Sequence, residues 1–215
     1  MGFLKGLFGK KEAPTRQLSH PKELLKGDMV TLDDSFALPP QLRKQQLKVE
    51  AIHTYEYERS KQCEFLLRGS DGNAIFMSHV QEDEEYLSFS LKINRSVVEA
   101  LFDLDEFANI FEEPGKVTLH TQDVPAEVDN ELSNWLSDEY HQVSFATFGY
   151  FHRGDYRHNM PPQDDKQAQP FQSYCLVNNE DTHAIDIEVY ECGDTEIMLT
   201  LYRPLSDIRD YWPGS

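Results

Sequence analysis

The densest group of chemistry-bearing side chains in this 215-residue sequence is His152-Arg153-Gly154-Asp155-Tyr156-Arg157-His158. Imidazole and carboxylate are ordinary donors to a transition metal, which makes His152, Asp155 and His158 the candidate ligands. Their spacing follows no established ligand pattern, and Arg153 and Arg157 would repel a cation, so the stretch reads as a polar loop after a strand. The acidic run Glu82-Asp83-Glu84-Glu85 offers carboxylate oxygens but lacks the spaced Asp, Asn and Gly of a calcium loop, and reads as a solvated hairpin tip. Cys63, Cys175 and Cys192 are an odd, sparse set and a poor disulfide framework; Cys63 and Cys175 read as small buried hydrophobes. The sequence contains no glycine-rich phosphate loop, no Gly-x-Ser-x-Gly and no His-Glu-x-x-His. No catalytic residue, metal or cofactor is therefore expected.

The start of the chain suggests an interaction rather than a reaction. In a helix, Phe3, Leu4, Leu7 and Phe8 would form one apolar stripe, with Lys5 beside it and Lys10 and Lys11 after Gly9. Gly2 and Gly6 weaken such a helix, so it would form only against a surface. Residues 1–26 carry six bases against two acids, a net +4, in a chain whose formal charge is −18. The remainder therefore holds −22. That acidic body repels phosphate backbones and excludes nucleic acid as its partner. The basic, apolar start suits an anionic membrane surface or a protein partner, contacted by Phe3, Leu4, Lys5, Leu7, Phe8, Lys10 and Lys11, or a second copy of the chain. The lysines interrupt any signal-like apolar run, and no segment approaches the length of a spanning helix. A cytoplasmic location is expected, peripheral at most to a membrane.

Strands must position whatever chemistry the body performs. Met29–Leu32 is a short strand, and Leu47 to Tyr57 alternates with Leu47, Val49, Ala51, Tyr55 and Tyr57 on one face. Gln62–Arg68 and Ala74–Val80 flank the hairpin signal Asp71-Gly72. Tyr86–Ile93 sets Leu87, Phe89, Leu91 and Ile93 against Ser88, Ser90 and Lys92. Ser96 with Glu99 forms a capping box for a helix that resumes, after a break, through Phe107 and Phe111. A helix is expected over Glu131–Tyr140 from the spacing of Leu132, Trp135, Leu136 and Tyr140. Further strands follow at Val143–Phe151, Gln172–Asn178, His183–Tyr190 and Glu196–Tyr202, with a polar loop over residues 154–168.

Residues 61–98, moved by 110 positions without gaps, fall on residues 171–208 with seven identities, among them Gln62/Gln172, Leu66/Leu176, Ile75/Ile185 and Leu91/Leu201. A duplicated three-stranded unit would explain this, as would two meanders sharing a period-2 pattern. The fold class is α+β, mostly antiparallel β meanders in two similar halves, as two related sheets or partly open barrels, with a few short helices between. The expected division is a flexible segment at 1–18, a first half at 19–116 and a second at 117–215.

The stretches GDMVTLDDSFALP, VEAIHTYEYE and CEFLLRGSDGNAIFMSHVQEDEEYLSFSL resemble the YjfK-like group of bacterial proteins of unknown function. That resemblance covers the chain from about Gly27 onward. It implies an accessory role at or near the inner membrane, linked to membrane stress, and no catalytic residue. The expectation is thus an accessory or adaptor protein acting through its N-terminus; the alternative is an enzyme or small-ligand-binding protein with a site between the two β halves.

Overall fold

A computed structural model describes residues 16–70, 72–124, 126–162 and 168–214. Among these residues the architecture is mostly antiparallel sheet with three short α-helices. Strands β1 (Met29–Leu32), β2 (Gln46–Tyr57), β3 (Lys61–Arg68), β4 (Ala74–Gln81) and β5 (Glu85–Ile93) run as a meander. Helices α1 (Arg95–Leu101) and α2 (Leu104–Ala108) follow, then strand β6 (Thr118–His120) and helix α3 (Ala126–Glu131). A second meander is formed by β7 (Glu139–His152), β8 (Gln169–Val177), β9 (His183–Tyr190) and β10 (Thr195–Pro204), before the final strand β11 (Ile208–Trp212).

The two meanders do not form separate sheets. β5 pairs with β10, centred on Ser90↔Thr200 and Phe89↔Leu201, giving the order β11-β1-β2-β3-β4-β5-β10-β9-β8-β7-β6. A second contact, Thr54–Tyr57 of β2 against Gly149–His152 of β7, closes strands β2–β5 and β7–β10 into an eight-stranded barrel. Closure depends on strand length. β2 has twelve residues and β7 fourteen, so each pairs with a flanking strand over its first part and with the other over its last. Gly149 sits at this seam because a Cβ there would meet the Phe171 ring at 2.7 Å and the Glu56 carbonyl at 3.0 Å.

Alternation along each strand divides the barrel into an apolar outer face and an inner face. Phe65, Leu67, Ile75, Met77, Leu87, Phe89, Leu176, Ile185, Leu199 and Leu201 belong to the main buried cluster. They pack under Leu24, Val30, Leu38 and Leu42 from the N-terminal part and Leu101, Phe102, Ile110 and Trp135 from the segment between the meanders. The hydrophobic core thus lies outside the barrel wall, beneath a cover of turns and short helices.

Four further expectations change. The face assigned to β2 is broken by a register shift between Val49 and Ala51, so Leu47 and Val49 enter the main core while Tyr55 and Tyr57 turn into the barrel. Residues 131–140 are not a helix: α3 ends at Glu131, Asn134 has φ 63°, and Glu139 already begins β7. Leu132, Trp135 and Tyr140 are buried as their spacing suggested, but the first two by a turn and Tyr140 by the start of β7, with the Trp135 indole N–H donating to Gln41 at 3.0 Å. The cap of α1 is Asn94, whose side chain accepts from the Val97 N–H, so Ser96 lies inside the helix. The ungapped repeat fits β4/β9 and β5/β10 but slips by one residue at β3/β8: Leu67 pairs with Ile75, whereas Val177 pairs with Ala184 rather than Ile185. Leu66 therefore faces into the barrel and Leu176 outwards.

Candidate functional site

The inner face is where polar side chains collect. β5 contributes Tyr86, Ser88 and Ser90; β4, Ser78; β10, Thr200 and Tyr202; β9, Asp186 and Glu188; β8, Ser173 and Cys175; β3, Gln62 and Glu64; β2, Tyr55 and Tyr57. Together they line a cavity of about 470 Å³ that reaches solvent at the end marked by the exposed Ser60 and Glu82. Eight strands leave room in a barrel for filling side chains or one small ligand. Here short hydroxyl side chains leave the space unfilled.

A second chamber, of about 400 Å³, occupies the other end and includes His53, Leu66, Phe76, Lys92, Arg153 and Glu196. Tyr55, Glu64 and Met198 line both chambers. They belong to a septum completed by the buried aromatic cluster Tyr55, Phe151, Phe171 and Tyr190. Its rings meet edge-on or tilted, with centroids 5.2 Å apart for Tyr55–Phe151, 5.6 Å for Tyr55–Phe171 and 5.8 Å for Phe171–Tyr190.

Three carboxyl groups dominate the electrostatics. Glu188 accepts hydrogen bonds from the hydroxyls of Tyr55, at 3.3 Å, and Tyr190. Glu64 lies 3.3 Å from His53 Nδ1, and Asp186 accepts from the Thr200 hydroxyl, at 2.6 Å. Thr200 and Ser90 share a further hydrogen bond of 2.8 Å. Burial raises all three carboxyls above the usual carboxylate range, Glu188 to about 8. Hydrogen bonds to Tyr190 and Tyr55 offset part of that rise for Glu188, and the neighbouring Glu64 charge adds to it. Burial likewise pushes the Tyr55 and Tyr190 phenols far up, reinforced by the nearby acids. No Lys, Arg or His lines the first chamber among the described residues. Asp186 and Glu188 have hydroxyl partners, and Glu64 is met by the His53 imidazole from the second chamber.

The residues singled out from sequence lie elsewhere. Phe3, Leu4, Lys5, Leu7, Phe8, Lys10 and Lys11 fall outside the described residues. His152 is buried at the barrel seam with Nε2 2.9 Å from Glu56, Asp155 forms an ion pair with Arg157 at 2.6 Å, and His158 is exposed. These three do not converge. The group of described residues that does is His20, His79 and Glu85. There the His20 Nδ1 accepts from the Lys22 backbone N–H, which leaves its Nε2–H directed at Glu85, and the Lys22 ammonium sits 2.9 Å from the same carboxylate. The cationic place is already filled by a side chain. Glu82–Glu85 is an exposed tip as expected. Cys63 and Cys175 are free and half-buried; Cys175 faces the first chamber, where burial holds its thiol well above the ordinary range.

Sequence reasoning passed over Glu64, Asp186 and Glu188. The signal available was their position within strands whose other face is apolar, the same signal that marks a solvated face. No helix of the described residues is long and apolar enough to cross a membrane. Comparison with family models, curated proteins and solved structures finds no match to this chain.

Proposed function

We propose that this protein binds a small polar molecule in the first chamber of its barrel. The observation that carries this reading is the inversion of the wall: apolar side chains outside, hydroxyl and carboxyl groups inside, around about 470 Å³ of space. Stability alone favours filling a small barrel with apolar side chains, because each buried carboxyl costs desolvation energy. Retaining three of them around a cavity makes sense if something is bound there. Native mass spectrometry of the purified protein tests the reading. A small molecule should accompany the wild-type chain and be lost from Ser88→Phe, which fills the chamber. A folded Ser88→Phe chain indistinguishable from wild type against a broad panel of polar metabolites would refute it.

We also read the two meanders as copies of one unit. The strand order β2–β5 and β7–β10 joined last to last and first to first supports this, as does the hydrogen-bonded pair Ser90↔Thr200, whose members correspond at the 110-residue offset. The accessory role at a membrane is a second reading, favoured by the net +4 of residues 1–26 against −22 for the rest. Deleting residues 2–11 should abolish binding to anionic liposomes; unchanged binding would remove that role.

A further inference from the structure

We infer that the ligand of the first chamber is an organic polycation, a diamine or polyamine whose ammonium groups are held between opposite walls. The inference rests on the binding reading above and adds the ligand's chemistry. Its first support is the acidity of the wall: Glu64, Asp186, Glu188 and, at the mouth, Glu82, with no basic side chain among the described lining residues and only the His53 imidazole, in the second chamber, against Glu64. The second is placement. In the ring β2-β3-β4-β5-β10-β9-β8-β7, strand β3 stands four places from β9, so Glu64 faces Asp186 and Glu188 across the barrel. Asp186 and Glu188 are two residues apart on one strand face, roughly 7 Å along β9.

The acids are therefore spread over two walls and two levels. Among the described residues their ligand atoms form no set close enough to hold one metal ion. The cavity is also far larger than an ion requires. Separated carboxyl groups, which a bound ammonium group would hold ionised, suit separated cationic ones. The space between them is lined by the rings of Tyr55, Tyr57, Tyr86 and Tyr202, which attract ammonium groups and pack against methylene chains. The serine and threonine hydroxyls can accept the remaining N–H bonds.

Isothermal titration with spermidine at near-physiological salt tests the inference, using wild type, Glu188→Gln, Asp186→Asn and the exposed tip variant Glu84→Gln, with far-ultraviolet circular dichroism to check folding. Saturable binding of one spermidine per chain is expected, weakened about tenfold or more by either chamber variant, the loss of one charged contact, and unchanged by Glu84→Gln. Equal affinity across all four proteins would place the cation on the acidic surface and overturn the inference. So would tighter binding of calcium than of spermidine at the same carboxyls. A neutral or anionic compound that binds wild type and is excluded by Ser88→Phe would overturn the cation while leaving the chamber a binding site. If neither spermidine nor any compound of the panel distinguishes wild type from folded Ser88→Phe, both readings fall.

Discussion

The two faces of strand β5 are built from adjacent residues and have opposite roles. Leu87 and Phe89 point outwards into the main core, both with no exposed surface; Ser88 and Ser90, between and beside them, face the chamber. The same division holds around the first chamber on β3, β4, β9 and β10, with Phe65, Met77, Ile185 and Leu199 buried outside and Glu64, Ser78, Asp186 and Thr200 inside. Outer positions carry the folding free energy. Inner positions are released from that duty and, at Glu64, Asp186 and Glu188, work against it.

Substitutions on either face should expose this difference. Phe89→Ala removes a fully buried ring from the core and should cost about 3–5 kcal/mol in urea unfolding. Ser88→Ala on the next residue should move the midpoint by well under half of that; comparable losses at both positions would contradict the division. The second effect concerns Glu188. Its carboxyl, raised from 4.5 to about 8, keeps its proton in the folded chain at pH values where the unfolded chain has released it. Stability therefore falls as pH rises from about 4.5 to about 8. Glu188→Gln should be more stable than wild type at pH 8, by on the order of 2–4 kcal/mol, and unfold at a higher temperature, with the gap closing towards pH 4. Glu64 and Asp186, shifted in the same direction, leave the variant a shallower slope of the same sign. Thermal unfolding by circular dichroism between pH 4 and 9 measures both.

The third effect tests the closure that makes an inside at all. Gly149→Ala drives a Cβ into the Phe171 ring and the Glu56 carbonyl, and should cost about 1–3 kcal/mol. The loss should be concentrated at the seam, seen as faster hydrogen exchange of the Thr54–Tyr57 amides. The smallest effect is expected at Ala146, which holds φ 48° where the β7–β8 register shifts. Ala146→Gly removes a left-handed strain and should raise stability by up to about 1 kcal/mol.

Much of the wall was legible in the sequence. The alternation of Tyr86–Ile93 identifies which residues enter the core, and the boundaries of β1, β4 and β9 follow from period-2 runs. The meaning of the polar face was not legible. Ser88 and Ser90 would show the same pattern on an open sheet washed by solvent, and only the pairing of Tyr55 with Phe151, ninety-six positions away, encloses them. Such a contact leaves no local trace. The same holds for Glu50, where one extra residue in β2 reverses the direction of everything after it, and for Gln62/Gln172, an identity that links an inward side chain to an outward one. Strand β11 escaped because five residues ending in Tyr211-Trp212 have too short a pattern to separate from a turn.

Closing the barrel through the long strands β2 and β7 also moves the free margins of the sheet elsewhere. Among the described residues its two borders are β11, five residues, and β6, three. An eleven-stranded sheet thus offers a neighbouring molecule very little unpaired backbone to copy. Crowding this chain at high concentration should therefore meet resistance to strand-by-strand polymerisation that comes from geometry, in addition to the mutual repulsion of its negative charges.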